Sequence, residues 1–383
     1  MIRRLPRKYS LLICLAISLG FPLSGKSHDP VTTTVTFNRE IIRILERNCL
    51  ACHSARGVTR DIPLESYEQA RPWAKAIKEE VLEKRMMPYQ AVKGFGDFHR
   101  DYTLSPREIS LIVSWVEGGA PKGEEKDLPP PTDPRAWSLG APDLVWEPEN
   151  ESRLAAASDE YRTFKLPSGL AQGSWVSAVD FQPGNAEVVH CASFSLEQGK
   201  RPGESLGNWV PGQAAIALPR GVAHLLSAGA QLTLKIHYRN GGGAATDRSR
   251  LALYFAKEAT PRPLRSVTIK AAGRSGKALT SAYLVTSPAE AFAIRPLAFP
   301  ARSIEAVAHR PDGTVEALLW AKNLRDDWQP TYYFRQPLTL PAGTRIEVTT
   351  HLDEGTLPAG TPLCELQLAA RAAASKSRNI HGE

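Results

Sequence analysis

The sequence predicts a multidomain chain, with a small all-α domain followed by all-β tandem sandwiches of the jelly-roll type. Three observations lead there. Apolar residues recur at helical spacing up to about residue 119. A run of three prolines, Pro129, Pro130 and Pro131, then stiffens the chain. Beyond residue 141 the texture becomes short β-rich segments separated by turn clusters. A length of 383 residues with 30 prolines and 28 glycines agrees with two or three domains dominated by strands and turns.

Residues 1–27 read as a leader. Arg3, Arg4, Arg7 and Lys8 form a basic start, residues 11–23 are apolar but short for a bilayer, and Ser24, Gly25 and Ser27 supply small residues. The chain is therefore expected to be exported, to the periplasm or an equivalent compartment. The formal charge of +7 falls to +2 once the leader's five cations, which include Lys26, are set aside. No basic run remains, and this excludes a nucleic-acid footprint. An apolar fraction of 42% is enough for sizeable cores.

Three helices are expected in residues 35–120. The first starts near Phe37 with Asn38 as its cap and Phe37 stapled to Ile42. The second covers about 67–85, with Trp73, Ile77, Val81 and Leu82 at helical spacing, and Pro88 stops it. The third has a capping box of Ser105 and Glu108 around Pro106, an inward stripe of Ile109, Ile112, Val113 and Val116, and Gly118 and Gly119 at its end. Residues 121–140 form a charged, Pro-rich linker. Two β units follow, at 141–260 and 261–370, then a tail at 371–383. Segments 232–238 (LTLKIHY), 251–255 (LALYF) and 345–350 (RIEVTT) have strand character.

The strongest chemical signal directly follows the first helix. Cys49, Cys52 and His53 stand in the pattern C-x-x-C-H. Two thiols three residues apart can form thioethers with the two vinyl groups of a haem, and the adjoining imidazole can ligate its iron. The only methionines are Met1, Met86 and Met87. Met87, before Pro88, is the expected second axial ligand, with Met86 the alternative. His/Met ligation fills both axial positions, so covalent haem c here implies electron transfer and not oxygen chemistry at the iron. A redox partner protein is then required.

Residues 36–128 resemble the small cytochrome c domain of exported bacterial multidomain proteins, through Phe37 and Asn38, the Cys49–His53 motif, the sequence RMMP at 85–88, residues 94–98, Leu104 and Ser105, and residues 115–121. That family continues Pro-Pro-Trp after its ligand methionine. This chain has Pro88, Tyr89 and Gln90.

Residues 141–370 resemble the copper type II monooxygenases, the family of peptidylglycine α-hydroxylating and dopamine β-monooxygenases. The anchors are Pro183, Gly184 and Asn185, then Val188–His190, residues 235–238, Asp247, Arg248 and Ser249, residues 311–313, and Trp328 with Gln329. The resemblance implies two jelly rolls with one copper each. The first copper's ligands would fall on His190, Cys191 and His237, a thiol replacing one histidine. The second copper's His-x-His would fall on Pro296, Leu297 and Ala298, which cannot ligate, and no methionine follows Met87. His309 and His351 stand isolated, as surface histidines do. His190 and His237 could instead be hydrogen-bonded structural residues. Cys191 and Cys364 could form a disulfide between the β units or stay as buried thiols.

Two functional readings follow. The chain is an exported c-type cytochrome fused to a monooxygenase-like β module that lacks its oxygen-site copper and binds a protein or small-molecule ligand. Alternatively it is a copper-dependent oxidoreductase fed by its own haem, or a copper-binding sensor, through His190, Cys191 and His237.

Overall fold

The computed structural model describes residues 32–54, 59, 61–86, 90–100, 103–130, 136–197, 204–258, 261–298, 301–324, 330–352, 358 and 360–370. The expected leader at 1–27, Met87 and the expected tail at 371–383 lie outside the described residues.

A π-helical turn, Phe37–Ile41, runs into α1 (Ile42–Asn48). Next, α2 (Tyr67–Ala70) passes through a 3-10 turn, Arg71–Trp73, into α3 (Ala74–Leu82). The last helix, α4 (Pro106–Glu117), begins at the expected capping box of Ser105 and Glu108. Phe37, Ile41, Leu45, Val81, Ile112 and Trp115 form the core between these helices. Asn38 does not cap. Residues 121–124 fold back over the first turn, so the Phe37 and Asn38 N–H groups donate to the carbonyls of Pro121 and Lys122. The Asn38 amide donates to Glu124 O at 3.0 Å. Trp73 and Leu82 leave the expected inward stripe and are 39% and 51% exposed.

Strands follow in order: β1 (Gln90–Ala91), β2 (Leu144–Trp146), β3 (Ser152–Leu154), β4 (Asp159–Pro167), β5 (Ser174–Gln182), β6 (Val189–Glu197), β7 (Glu204–Trp209), β8 (Ile216–Ala217), β9 (Val222–Leu226), β10 (Gln231–Arg239), β11 (Ala245–Asp247), β12 (Arg250–Phe255), β13 (Arg262–Lys270), β14 (Gly273–Ser275), β15 (Ala278–Leu284), β16 (Ala289–Pro296), β17 (Ala301–His309), β18 (Val315–Leu324), β19 (Tyr332–Leu340), β20 (Arg345–His351) and β21 (Pro362–Ala370). They build two sandwiches. The first packs sheet β4-β10-β6-β7 on β9-β5-β12-β2, around Val179, Phe181, Phe194, Leu234 and Tyr238. The second packs β1-β18-β17-β20-β15-β14 on β19-β16-β21-β13, around Ile294, Ile304, Leu318, Val348 and Leu366. One sheet runs through both units, because β9 and β13 pair in parallel with Val222 opposite Arg262.

The expected all-α first domain is not observed. The molecule is mostly β, 45% strand against 14% helical, and its helices are few and short. Strand β1 lies inside the stretch expected to be helical and pairs with β18, Gln90 opposite Lys322 and Ala91 opposite Ala321. The reason is tertiary: backbone groups in residues 90–100 find their partners on the second sandwich. Val92 N–H donates to Trp320 O, His99 N–H to Tyr333 O, and Asp97 O accepts from Arg335 N–H. Phe98 enters that sandwich's core against Tyr332 and Phe334. The β-sandwich expectation for the rest of the chain agrees with the structure.

Candidate functional site

Helix α1 delivers Cys49 at its C-cap, where the Cys49 N–H donates to Leu45 O at 2.7 Å. The N–H groups of Cys52 and His53 then both donate to Cys49 O, at 3.0 and 2.8 Å. This closes Cys49, Cys52 and His53 into one tight turn. The imidazole of His53 is buried, with Nδ1 2.9 Å from Ile62 O. A carbonyl only accepts, so Nδ1 carries the proton and the lone pair belongs to Nε2. Ligating histidines are oriented in this way. Both thiols are free.

Burial, aided by Cys52 and Glu108, pushes the Cys49 thiol up to about 12. Burial pushes Cys52 up to about 11. A disulfide-exchange pair needs a ready thiolate, and these environments oppose one. The donor set fits a thioether-linked haem: two free thiols three residues apart and an adjoining imidazole held by its other nitrogen. Met87 lies outside the described residues. Its neighbour Met86 is 37% exposed.

This turn abuts the first sandwich. A methyl group at Gly212 would stand 3.0 Å from the Ala51 side chain. The Arg100 guanidinium donates to the carbonyls of both Arg47 and Gly212.

His190, Cys191 and His237 gather on the outer face of the four-stranded sheet. On β6, Val189, Ala192 and Phe194 point into the core. A bulge sets Cys191 opposite His237 and Val189 opposite Tyr238, which leaves His190 as the extra residue. His190 and Cys191 therefore share the side of the sheet away from the core. The rings of His190 and His237 meet edge-on, with centroids 5.1 Å apart. His237 is buried beneath Tyr161, which stacks on it at 4.2 Å and 13°. His237 Nε2 lies 2.6 Å from Asp159 Oδ1. That bond, with the Arg239 guanidinium, holds the Asp159 carboxyl below the usual carboxylate range. With Nε2 donating to Asp159, Nδ1 keeps the lone pair of the neutral ring, and this nitrogen is buried without a hydrogen bond. The patch thus keeps one imidazole nitrogen, His237 Nδ1, with a lone pair. Among the described residues no three His, Cys, Asp or Glu side chains gather in a way that could hold a metal ion.

Asp159 and Tyr161 were not read from sequence. Both lie on β4, and only the pairing of β4 with β10, Tyr161 opposite His237, brings them there.

The positions implied for a second copper are structural. Pro296 ends β16 opposite Cys364, and Ala298 is buried in the second core. His309 lies 3.5 Å from Glu347 at the surface. The Cys191–Cys364 disulfide is not formed. Cys191 is on the outer face of β6, whereas Cys364 is fully buried in the second sandwich. Burial, with Glu365 beside it, pushes the Cys364 thiol up to about 12.

Two sequence anchors meet in a structural knot. Asp247 accepts from Asn185 N–H at 2.8 Å, Tyr238 O–H at 2.8 Å and the Ser249 hydroxyl at 2.9 Å. Burial and the Asp247 carboxylate hold the Tyr238 phenol above its ordinary value. Trp328 and Gln329 lie outside the described residues.

No family model matches the chain, and no curated protein matches it. Solved structures with partial likeness include PNGF-II, at 9% identity and a TM-score of 0.28, covering 59% of this chain and 65% of that one. The chain thus spans under two thirds of PNGF-II. Others are the tandem CBM22-1-CBM22-2 domain of Xyn10C from Paenibacillus barcinonensis, at 12% identity and a TM-score of 0.18, covering 62% of this chain and 100% of that one, and the turret protein A223 of Sulfolobus turreted icosahedral virus, at 11% identity and a TM-score of 0.16, covering 59% and 98%.

Proposed function

We propose that this chain is an exported electron carrier that holds one covalent haem c on Cys49 and Cys52, with His53 as an axial ligand. The observation that carries the reading is the hydrogen bond from His53 Nδ1–H to Ile62 O, beside two free thiols on the same turn. That bond fixes the tautomer and leaves Nε2 to ligate. Haem bound there supplies one-electron exchange, accepting from a donor protein and passing on to an acceptor. Met87 is the proposed second ligand. The β region serves as the binding module through which a protein or small-molecule ligand engages.

The test is maturation of the full chain, leader included, in a bacterial periplasm equipped for c-type haem attachment. One haem per chain, surviving denaturation, is expected. Cys49→Ala with Cys52→Ala loses it, and His53→Ala keeps the covalent haem but changes its axial-ligand absorption. A chain recovered folded and free of covalent haem, from cells that mature another c-type cytochrome, overturns the reading.

A second reading, copper bound at His190 and His237 and fed by the haem, is favoured by the buried, unbonded Nδ1 of His237. Stoichiometric copper in the haem-loaded chain, lost in His237→Ala, would establish it.

A further inference from the structure

A cavity of about 290 Å³ opens where the strap formed by residues 90–100 meets both sandwiches. Its walls among the described residues are His99 and Arg100 of the strap, residues 213–217 leading into β8, and Thr331 with Tyr333 at β19. None of them belongs to the helices or to the turn that carries Cys49, Cys52 and His53. Gly212 faces that turn at Ala51, and the next residue, Gln213, faces the cavity.

Four of the lining side chains converge on two neighbours in β7, Gly207 and Asn208. The Thr331 hydroxyl donates to Asn208 Oδ1 at 2.5 Å, and Gln213 Nε2 donates to Asn208 O at 2.8 Å. Gly207 leaves room for the other two. A methyl group there would stand 2.6 Å from Ile216 Cδ1 and 3.4 Å from Tyr333 Oη. These bonds decide which chemistry is left over. The bond to Asn208 O identifies the nitrogen end of the Gln213 amide, so Oε1 is its other end. That oxygen is buried and accepts no hydrogen bond among the described residues. The Thr331 proton is committed to Asn208, so its oxygen can only accept. Buried acceptors of this kind call for a donor from outside the chain.

We propose that this cavity binds a small neutral sugar ring. Its hydroxyls bring donors to Gln213 Oε1 and Thr331 Oγ1, and its C–H face lies against Ile216 and the Tyr333 ring. Charge excludes the other donor-bearing ligands. The Arg100 guanidinium stands in the wall with no carboxylate among the described lining residues, which disfavours an ammonium group. An anion would meet two acceptors, and Arg100 already donates to the carbonyls of Arg47 and Gly212. The volume lies at the low end of ligand cavities and suits a monosaccharide. The inference deepens the proposed function: it rests on the β region being a ligand-binding module and gives that ligand a place and a class.

The probes are glucose, galactose and mannose, each measured by saturation-transfer NMR on the recovered full chain, with the matching 2-amino sugar as the cationic control. At least one of the three is expected to bind, about tenfold tighter than its amino counterpart. Gln213→Met removes the acceptor at similar length, and Ala217→Trp fills the cavity from an exposed position on β8. Each should weaken the sugar by at least about tenfold. Gln213→Met also gives up the bond to Asn208, so Ala217→Trp decides if that variant does not fold. Binding of none of the three sugars, equal binding of the amino counterpart, or binding that survives Ala217→Trp overturns the proposal. Haem attachment is read separately from absorbance. Sugar bound by a chain without haem supports this site while the electron carrier fails, and haem without sugar does the reverse.

Discussion

At the residue scale, most buried polar groups here have a structural task, and only a few have free valence for chemistry. Asp247 is the clearest structural case. It is buried and accepts from a backbone N–H, a tyrosine hydroxyl and a serine hydroxyl. Removing the carboxylate strands those donors in the core of the first sandwich. Asp247→Ala is expected to destabilise that unit by about 3 kcal/mol, read from the urea midpoint of unfolding. A shift under about 0.5 kcal/mol would mean that water substitutes for the carboxylate. His53 and His237 differ from Asp247. Each ring has one nitrogen assigned by a hydrogen bond, so the other keeps a lone pair for a metal.

At the element scale, the strap at 90–100 is the decisive piece. It has almost no secondary structure of its own, yet it ties the helices to the second sandwich through β1 and Phe98. Phe98 packs at 5.2 Å from the Phe334 ring and 5.1 Å from that of Tyr332. Phe98→Ala should cost about 3–4 kcal/mol, mostly as release of the strap. Limited proteolysis should then cut within residues 90–100 well before either sandwich is degraded. Uniform degradation would show that the strap and the sandwich unfold as one. Helix α4 is the opposite kind of element, with its start and cap written in near neighbours, Ser105, Pro106 and Glu108.

At the scale of the whole molecule, the two sandwiches are coupled by a shared sheet. The parallel pairing of β9 with β13 is short, and Val222, Leu264, Phe292 and Ala369 reinforce it with a small core of their own. Calorimetry should record one unfolding transition for both units in the unaltered chain. In Phe292→Ala the joint loses its largest side chain, and the transition should split in two. Two transitions before the substitution would mean that the shared sheet does not couple the units.

Sequence alone determined what is encoded in neighbouring residues. The C-x-x-C-H spacing of Cys49, Cys52 and His53, the capping box at Ser105 and Glu108, the run of prolines and the strand texture after residue 141 are all local. Tertiary structure decided whatever depends on which strand lies beside which. The all-α reading of residues 35–120 failed because the partner of Gln90 is Lys322, and no local pattern announces a pairing so distant in sequence. Of the two alternatives for Cys191 and Cys364, the unbridged one holds for a related reason: one thiol is on the outer face of the first sandwich and the other is inside the core of the second. The surroundings of His237 were equally hidden. Asp159 and Tyr161 reach it only through the register of β4 against β10, and a slip of one residue would turn their side chains to the other face.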